Sequence, residues 1–370
     1  QVYYGQETRS YSLLCCTSLL AILSYIYLRI KPTALTFILT VISLTLLLYT
    51  HIYACFTLLF LNVCFALESD HQLKLRHWLA VQITAFIAYL PYALILFELV
   101  LSAQQGYWLK QPNLIHLASS LVYFTGSVWV FVMLGWGFLS GLYFYKAGGK
   151  SLVYLRRPII FLLLWIFIPL LLPFLLSQIV SPFFLSRYAI AASPGLYILF
   201  AFGIQYLPKE YQLRKGLIQL ILFVSLLMMA IQFHKTLKEP WREAIQDLKT
   251  VSKKEPIFVG SAFCIDEMFS YYWPECKTAI GLERKTMQED IQEGMTNLSA
   301  ETTAWFVSSH FEKREDDALA QFSEAFEVSS YRDYYHWDLF EREIRSIRIF
   351  RLDRKSAGLP ETQDSIQSVD

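Results

Sequence analysis

Along the first 235 residues the chain is built of long apolar runs separated by short polar junctions. Most runs approach the roughly 20 residues that carry a helix across a bilayer. About eight are predicted as helical spans: Ser12–Ile30, Ala34–Thr50, Ile52–Leu67, Trp78–Phe97, Leu117–Leu142, Ile159–Ile179, Ala189–Tyr206 and Leu217–His234. The second and third are short and share a tight junction at His51, which predicts a thin hairpin. Pro91, Pro169 and Pro173 fall inside runs, and lipid-embedded helices tolerate such residues when neighbours satisfy the freed carbonyls.

From Trp241 the pattern changes to that of a soluble α/β unit. Ala244, Ile245 and Leu248 recur at helical spacing, and 256–260 and 303–308 read as short buried strands. The stretch Asp316–Phe326 is predicted as an amphipathic helix and Ile344–Leu352 as a last strand, with Ile347 and Ile349 on the face opposite Arg348. Strands alternating with helices predict a small, largely parallel sheet. No glycine-rich phosphate loop follows any of these strands, which gives nucleotide binding little support. The predicted fold is therefore a multi-pass α-helical membrane domain over 1–235 and a small α/β domain over 236–355. A tail over 356–370, polar and free of aromatic residues, is expected to be disordered.

Charge orients this arrangement. Alternate junctions contain Arg29 and Lys31, then Lys74 and Arg76, then Lys146, Lys150, Arg156 and Arg157, then Lys209, Arg214 and Lys215; the intervening junctions contain only Lys110 and Arg187. The excess of Lys and Arg marks the first set as cytoplasmic. An even number of spans then puts Gln1–Tyr11, Arg187 and the whole C-terminal domain on the outer face. Composition agrees with a membrane protein: 55% of residues are hydrophobic, 17% are charged and the mean hydropathy is +0.38, beyond the apolar share of ordinary soluble domains. A net charge of +1 supplies no basic field for nucleic acid.

Four cysteines, Cys15, Cys16, Cys55 and Cys64, lie in apolar runs and read as packing residues. Cys264 and Cys276 lie in the polar region, where a disulfide is open if that region is outside the cytoplasm. Spacing alone does not settle its geometry.

Polar residues near the outer ends of the spans form a short set: Glu7, Arg9 and Tyr11 before the first, His51 and Tyr53 in the hairpin, Glu98, Trp108 and Lys110 further on, and Arg187 with Tyr188 between the sixth and seventh runs. Arg187 sits between two segments without charge, so it is either an interfacial anchor or a functional group. Each of the others has a plain structural role as well: a surface ion pair for Glu7 and Arg9, a hairpin cap for His51, and an aromatic belt for Tyr53, Tyr188 and Trp108. Their common face favours chemistry on an anionic lipid-linked substrate. Arginine can hold a phosphate bidentately while a carboxylate takes up an acceptor proton. The aromatic stretches 269–273 and 331–337 are either a glycan-stacking surface or core.

These residues also carry a resemblance. The opening Tyr3-Tyr-Gly-Gln-Glu-Thr-Arg-Ser-Tyr-Ser-Leu-Leu14 resembles the "YGQEARMYALL" stretch of bacterial glycosyltransferases related to the protein O-mannosyltransferases and the lipid A aminoarabinose transferase. Thr50-His-Ile-Tyr53 is similar to their "THY". Pro182-Phe-Phe-Leu-Ser-Arg-Tyr188, with Pro194 downstream, resembles "P-x-F-x-x-RY", and Trp241-Arg-Glu-Ala resembles the "W-R-E" that opens their outer domain. The order of these motifs covers most of the chain.

The resemblance implies a GT-C membrane glycosyltransferase of the bacterial inner membrane. Such an enzyme moves a sugar from a polyprenyl-phosphate carrier to a glycan, lipid or protein acceptor at the outer face. It implies that Glu7 matches an acidic position near the reaction. Arg9 and Arg187 would contact phosphate, and His51 would contact acceptor or metal, a divalent metal being left open. Tyr11, Tyr53 and Tyr188 join the substrate-binding set. The family's first outer loop, with its pair of acidic residues, would lie upstream of Gln1, so the chain is expected to be a fragment of a longer protein. The alternative expectation is a non-enzymatic membrane protein, a polyprenyl-lipid transporter or an assembly partner. Transporters more often place ionisable groups midway along spans.

Overall fold

A computed structural model describes residues 10–67, 73–103, 111–180, 182–208, 212–234, 239–252, 255–261, 265–276, 279–282, 287–296, 303–309, 313–337 and 343–355. Glu7, Arg9, Trp108, Lys110, Cys264 and the 356–370 tail lie outside the described residues, and so does the question of a Cys264–Cys276 disulfide. The chain divides into two compact units, Gln1–Met229 and Ala230–Asp370.

The first unit is helical. Its helices are α1 (Tyr11–Ile30), α2 (Ala34–Thr50), α3 (Ala54–Leu67), α4 (Leu75–Ala103), α5 (Leu114–Thr125), α6 (Val128–Ala147), α7 (Arg156–Ile179), α8 (Ser193–Ile204) and α9 (Leu213–His234). Short 3₁₀ turns, Leu152–Leu155 and Tyr188–Ala192, precede α7 and α8. Among the described residues five helices are long and apolar enough to cross a membrane, while α2, α3, α5 and the 188–204 segment are shorter. Their outward faces carry leucine, isoleucine and phenylalanine, such as Leu39, Phe86, Leu94 and Phe223. An apolar exterior over helices whose interior is also apolar is compatible with a membrane protein.

Caps decide where the helices begin and end. Thr33 and Thr36 form a reciprocal capping box at the start of α2, and Asn113 and His116 form another at the start of α5. Each satisfies amide groups that a helix N-terminus leaves orphaned. The run Leu117–Leu142, expected as one span, is two helices. Gly126 takes a left-handed conformation (φ 76°) as the C-cap of α5, and the Ser127 side chain accepts from the Trp129 amide to start α6. Hydropathy does not register this break, because Thr-Gly-Ser is no more polar than many positions inside a span; the stop lies in backbone conformation.

Packing is close where side chains vanish. Helix α6 lies against α8, and a Cβ on Gly141 would stand 1.9 Å from the Gly203 carbonyl oxygen. A Cβ on Gly203 would stand 2.5 Å from Phe138 Cα. Small residues four apart let helix backbones touch in apolar surroundings, where dispersion replaces the hydrophobic effect as the attraction. One group of polar side chains inside the unit is mutually paired: Asn62 on α3 donates to Gln82 Oε1 on α4 (3.0 Å) and accepts from Gln82 Nε2 and Trp78 Nε1, each at 2.9 Å.

The second unit holds α10 (Trp241–Val251), β1 (Ile257–Ser261), α11 (Ile265–Tyr272), β2 (Ala279–Gly281), α12 (Met287–Thr296), β3 (Ala304–Ser309), α13 (Lys313–Ala325), β4 (Phe326–Trp337) and β5 (Glu343–Arg354). The sheet order is β2-β1-β3-β5-β4, with β2, β1 and β3 parallel and β5 antiparallel to both neighbours. The expected parallel sheet is thus mixed. One face buries Ile257, Val259, Val307 and Ile349 under Ala244, Ile245 and Leu248 of α10, and the other buries Phe258, Phe306 and Phe350 against Phe322 of α13. Arg348 lies on the face opposite Ile347 and Ile349, as the alternation predicts, and pairs with Glu315 and Asp333.

The Gly141–Gly203 contact leads to a prediction. Gly141→Leu should destabilise the purified protein by about 1–3 kcal/mol or more, the usual cost of overpacking, lowering its thermal midpoint in detergent. Gly135→Leu, on the same helix with open space around it, should leave the midpoint nearly unchanged. Equal midpoints for the two variants would contradict the packing described.

Candidate functional site

Five of the residues singled out by sequence converge at one end of the helical unit. Tyr11 opens α1, His51 caps α2, Tyr53 immediately precedes α3, and Arg187 and Tyr188 lie in the connection from α7 to α8. The His51 ring lies 4.9 Å from Tyr188, 5.5 Å from Tyr53 and 6.1 Å from Tyr11, between centroids. Tyr188 also contacts Tyr11 at 5.8 Å and Tyr53 at 5.3 Å. The Arg187 guanidinium carbon stands 5.9 Å from the Tyr11 ring centre and 5.7 Å from that of Tyr188. Three separate stretches of sequence therefore build one aromatic wall with, among the described residues, one guanidinium against it.

That guanidinium is incompletely satisfied. Its Nε is buried and has no hydrogen-bond partner among the described residues. A charged donor in this state costs more than the 1–3 kcal/mol typical of a neutral unsatisfied group, and aromatic faces offset only part of that. An anionic oxygen would complete it.

The segment that presents Arg187 is irregular backbone inside an apolar bundle, where each amide and carbonyl needs a protein partner. Side chains from Ser177 and Tyr53 supply several of them, and Ser120 holds a side chain of the segment. Ser177, 2% exposed near the end of α7, accepts from the amides of Phe183 (3.2 Å) and Phe184 (2.9 Å) and donates to the Pro173 carbonyl (2.8 Å). The Tyr53 hydroxyl donates to the Phe183 carbonyl at 3.0 Å, and Ser120 of α5 donates to the Ser186 hydroxyl at 2.7 Å. Beyond Arg187, Trp165 Nε1 donates to the Ala191 carbonyl at 2.9 Å. None of Ser177, Ser120 and Trp165 was marked by the sequence, because a hydroxyl or an indole inside an apolar run breaks no periodicity.

His51 is fixed as well. The Tyr53 amide donates to its Nδ1 at 3.1 Å, and its carbonyl accepts from the Ala54 amide at 2.9 Å. Burial lowers the imidazole pKa from its ordinary value. The ring also borders an apolar cleft of about 250 Å³ between α2, α3 and α4, walled by Leu44, Leu48, Leu58, Phe86 and Tyr89 among others. His51 and Tyr89 lie toward one end of this cleft, while Leu44 and Leu58 lie toward the other.

Other sequence candidates fall elsewhere. Glu98 is exposed on α4. In the second unit Phe269 is buried and Tyr272, Trp273 and Tyr334 pack against the core, while Tyr271, Tyr331 and Tyr335 are exposed. Those aromatic stretches are thus divided between core and surface. Among the described residues no cluster of three His, Cys, Asp or Glu is placed to hold a metal, and His51 is the one metal-ligating side chain in the aromatic wall. Comparison with known proteins gives no match to a family model, a curated protein or a solved structure.

The fastening of the 182–187 segment is testable. Ser177→Ala leaves two buried amides without their acceptor, so amide exchange across 182–187 should rise by about tenfold or more, a loss of roughly 1–3 kcal/mol; Ser177→Thr should restore protection. Unchanged exchange in Ser177→Ala, read by mass spectrometry, would contradict this role.

Proposed function

We propose that the protein is a GT-C-type glycosyltransferase that takes a sugar from a polyprenyl-phosphate carrier and transfers it to a glycan, lipid or protein acceptor at the outer face of a bacterial inner membrane. The observation that carries the reading is Arg187, a cation with a buried Nε unpartnered among the described residues, set against the Tyr11 and Tyr188 rings that also meet His51, while His51 borders an apolar cleft. A lipid phosphate matches both features, with its charge at the arginine and its hydrocarbon along Leu44, Leu48 and Phe86. The motif order and the charge asymmetry of the junctions support the same assignment and the same sidedness. On this reading the helices form a GT-C membrane domain of about eight spans, and the C-terminal α/β unit is extracytoplasmic.

The chemistry is one displacement at the anomeric carbon. The acceptor oxygen forms its bond to that carbon as the bond to the carrier phosphate breaks, and the phosphate leaves with the electron pair. A carboxylate takes the acceptor proton, Glu7 being the acidic residue of this chain that the resemblance places near the reaction. Arg187 and Arg9 stabilise the charge that grows on the departing phosphate. Tyr11, Tyr53 and Tyr188 shape the wall against which the sugar phosphate lies.

In the full-length protein, Arg187→Ala should lower transfer from a polyprenyl-phosphate sugar by about 100-fold or more, the scale for losing a charge-stabilising donor, with membrane insertion retained. Arg187→Lys should recover only part, because a lysine lacks the planar fork. Turnover within about twofold of the unmodified protein in Arg187→Ala would overturn the assignment.

A further inference from the structure

The bond between the Tyr53 amide and His51 fixes more than ring orientation. A backbone amide only donates, so Nδ1 of His51 accepts through its in-plane lone pair and carries no proton. In a neutral ring the proton is then on Nε2. Neutrality follows from the surroundings. The ring is packed against Tyr188, Tyr53 and Tyr11, borders the apolar cleft with Cys55 and Tyr89, and has no described carboxylate in contact. Among the described residues the charged group facing the same rings is Arg187, whose positive charge disfavours an imidazolium. Burial acts in the same direction.

We infer that His51 is a neutral imidazole held as a hydrogen-bond donor through Nε2, and that this donor and the Arg187 guanidinium together bind one anionic headgroup. The inference rests on the reading of this site as a lipid-phosphate site and assigns within it the protonation state and the role of His51. Nε2 has no hydrogen-bond partner among the described residues, while both side chains meet at Tyr11 and Tyr188. The same bond excludes two other roles. A general base or a metal ligand at Nε2 needs its lone pair free, which would move the proton to Nδ1, against the Tyr53 N–H. His51 thus binds the headgroup and neither removes the acceptor proton nor holds a metal.

Two measurements on the full-length protein in detergent test this. Nitrogen-15 NMR of histidine-labelled protein, with the His51 signal identified by its loss in His51→Gln, should show the neutral Nε2–H tautomer at pH 7. Its Nε2 resonance should shift on addition of polyprenyl phosphate. Binding of polyprenyl phosphate should weaken by about 10–100-fold in His51→Leu, as expected for losing a hydrogen bond to a charged group. His51→Gln, which carries an N–H donor near the Nε2 position, should stay within a few-fold of the unmodified protein. A protonated ring or an Nδ1–H tautomer at pH 7 would overturn the inference. So would binding unchanged in His51→Leu but lost in Arg187→Ala, an outcome that leaves the phosphate site standing. Binding unaffected by either variant would overturn the phosphate reading itself.

Discussion

An arginine held on irregular backbone between two apolar helices sets the terms for the rest of the site. Residues 182–187 lie outside regular helix, and the turn that follows them takes the Leu185 and Ser186 carbonyls. Ser177 of α7 accepts from the Phe183 and Phe184 amides, the Tyr53 hydroxyl donates to the Phe183 carbonyl, and Ser120 of α5 holds the Ser186 side chain. Tyr53 and Ser120 are far from the segment in sequence and reach it through the packed bundle. The guanidinium lies against Tyr11 and Tyr188 with one buried nitrogen unsatisfied among the described residues. The structure leaves a defined electrostatic gap at the place where an anion would be stabilised most.

His51 complements that gap differently. It stands where α2 ends and its carbonyl starts the turn into α3, so its backbone belongs to a hairpin cap while its ring belongs to the aromatic wall. The cap role is that of its backbone and leaves the ring free for the proposed binding role. The ring also borders the apolar cleft between α2, α3 and α4.

Much of this was legible in the residue pattern. The helix Ala34–Thr50 was read to the residue, and α10 buries the Ala244, Ile245 and Leu248 stripe that its spacing predicts. The convergence of Tyr11, His51, Tyr53, Arg187 and Tyr188 follows from topology, since residues at alternate junctions share one end of a bundle. What hydropathy missed is conformational. Gly126 stops a helix in the middle of an apolar run by adopting a left-handed backbone, and a scale of residue polarity has no signal for that. The sheet was read as largely parallel because alternation of strand and helix suggests crossovers. The 331–337 stretch, for which a strand was not read, is part of β4, whose antiparallel partner β5 follows it directly. Ser177 escaped for a third reason: its importance lies in which amides it reaches across the fold.

The account turns on whether the site recognises a charge, and one comparison separates that from affinity for hydrocarbon. Binding of a polyprenyl phosphate and of the matching uncharged polyprenol to the purified full-length protein, measured by native mass spectrometry in the same detergent, differs only in the headgroup. The account predicts that the phosphate binds at least about tenfold more tightly than the alcohol, the difference expected for charge-assisted contacts. Equal binding of the two lipids would contradict it.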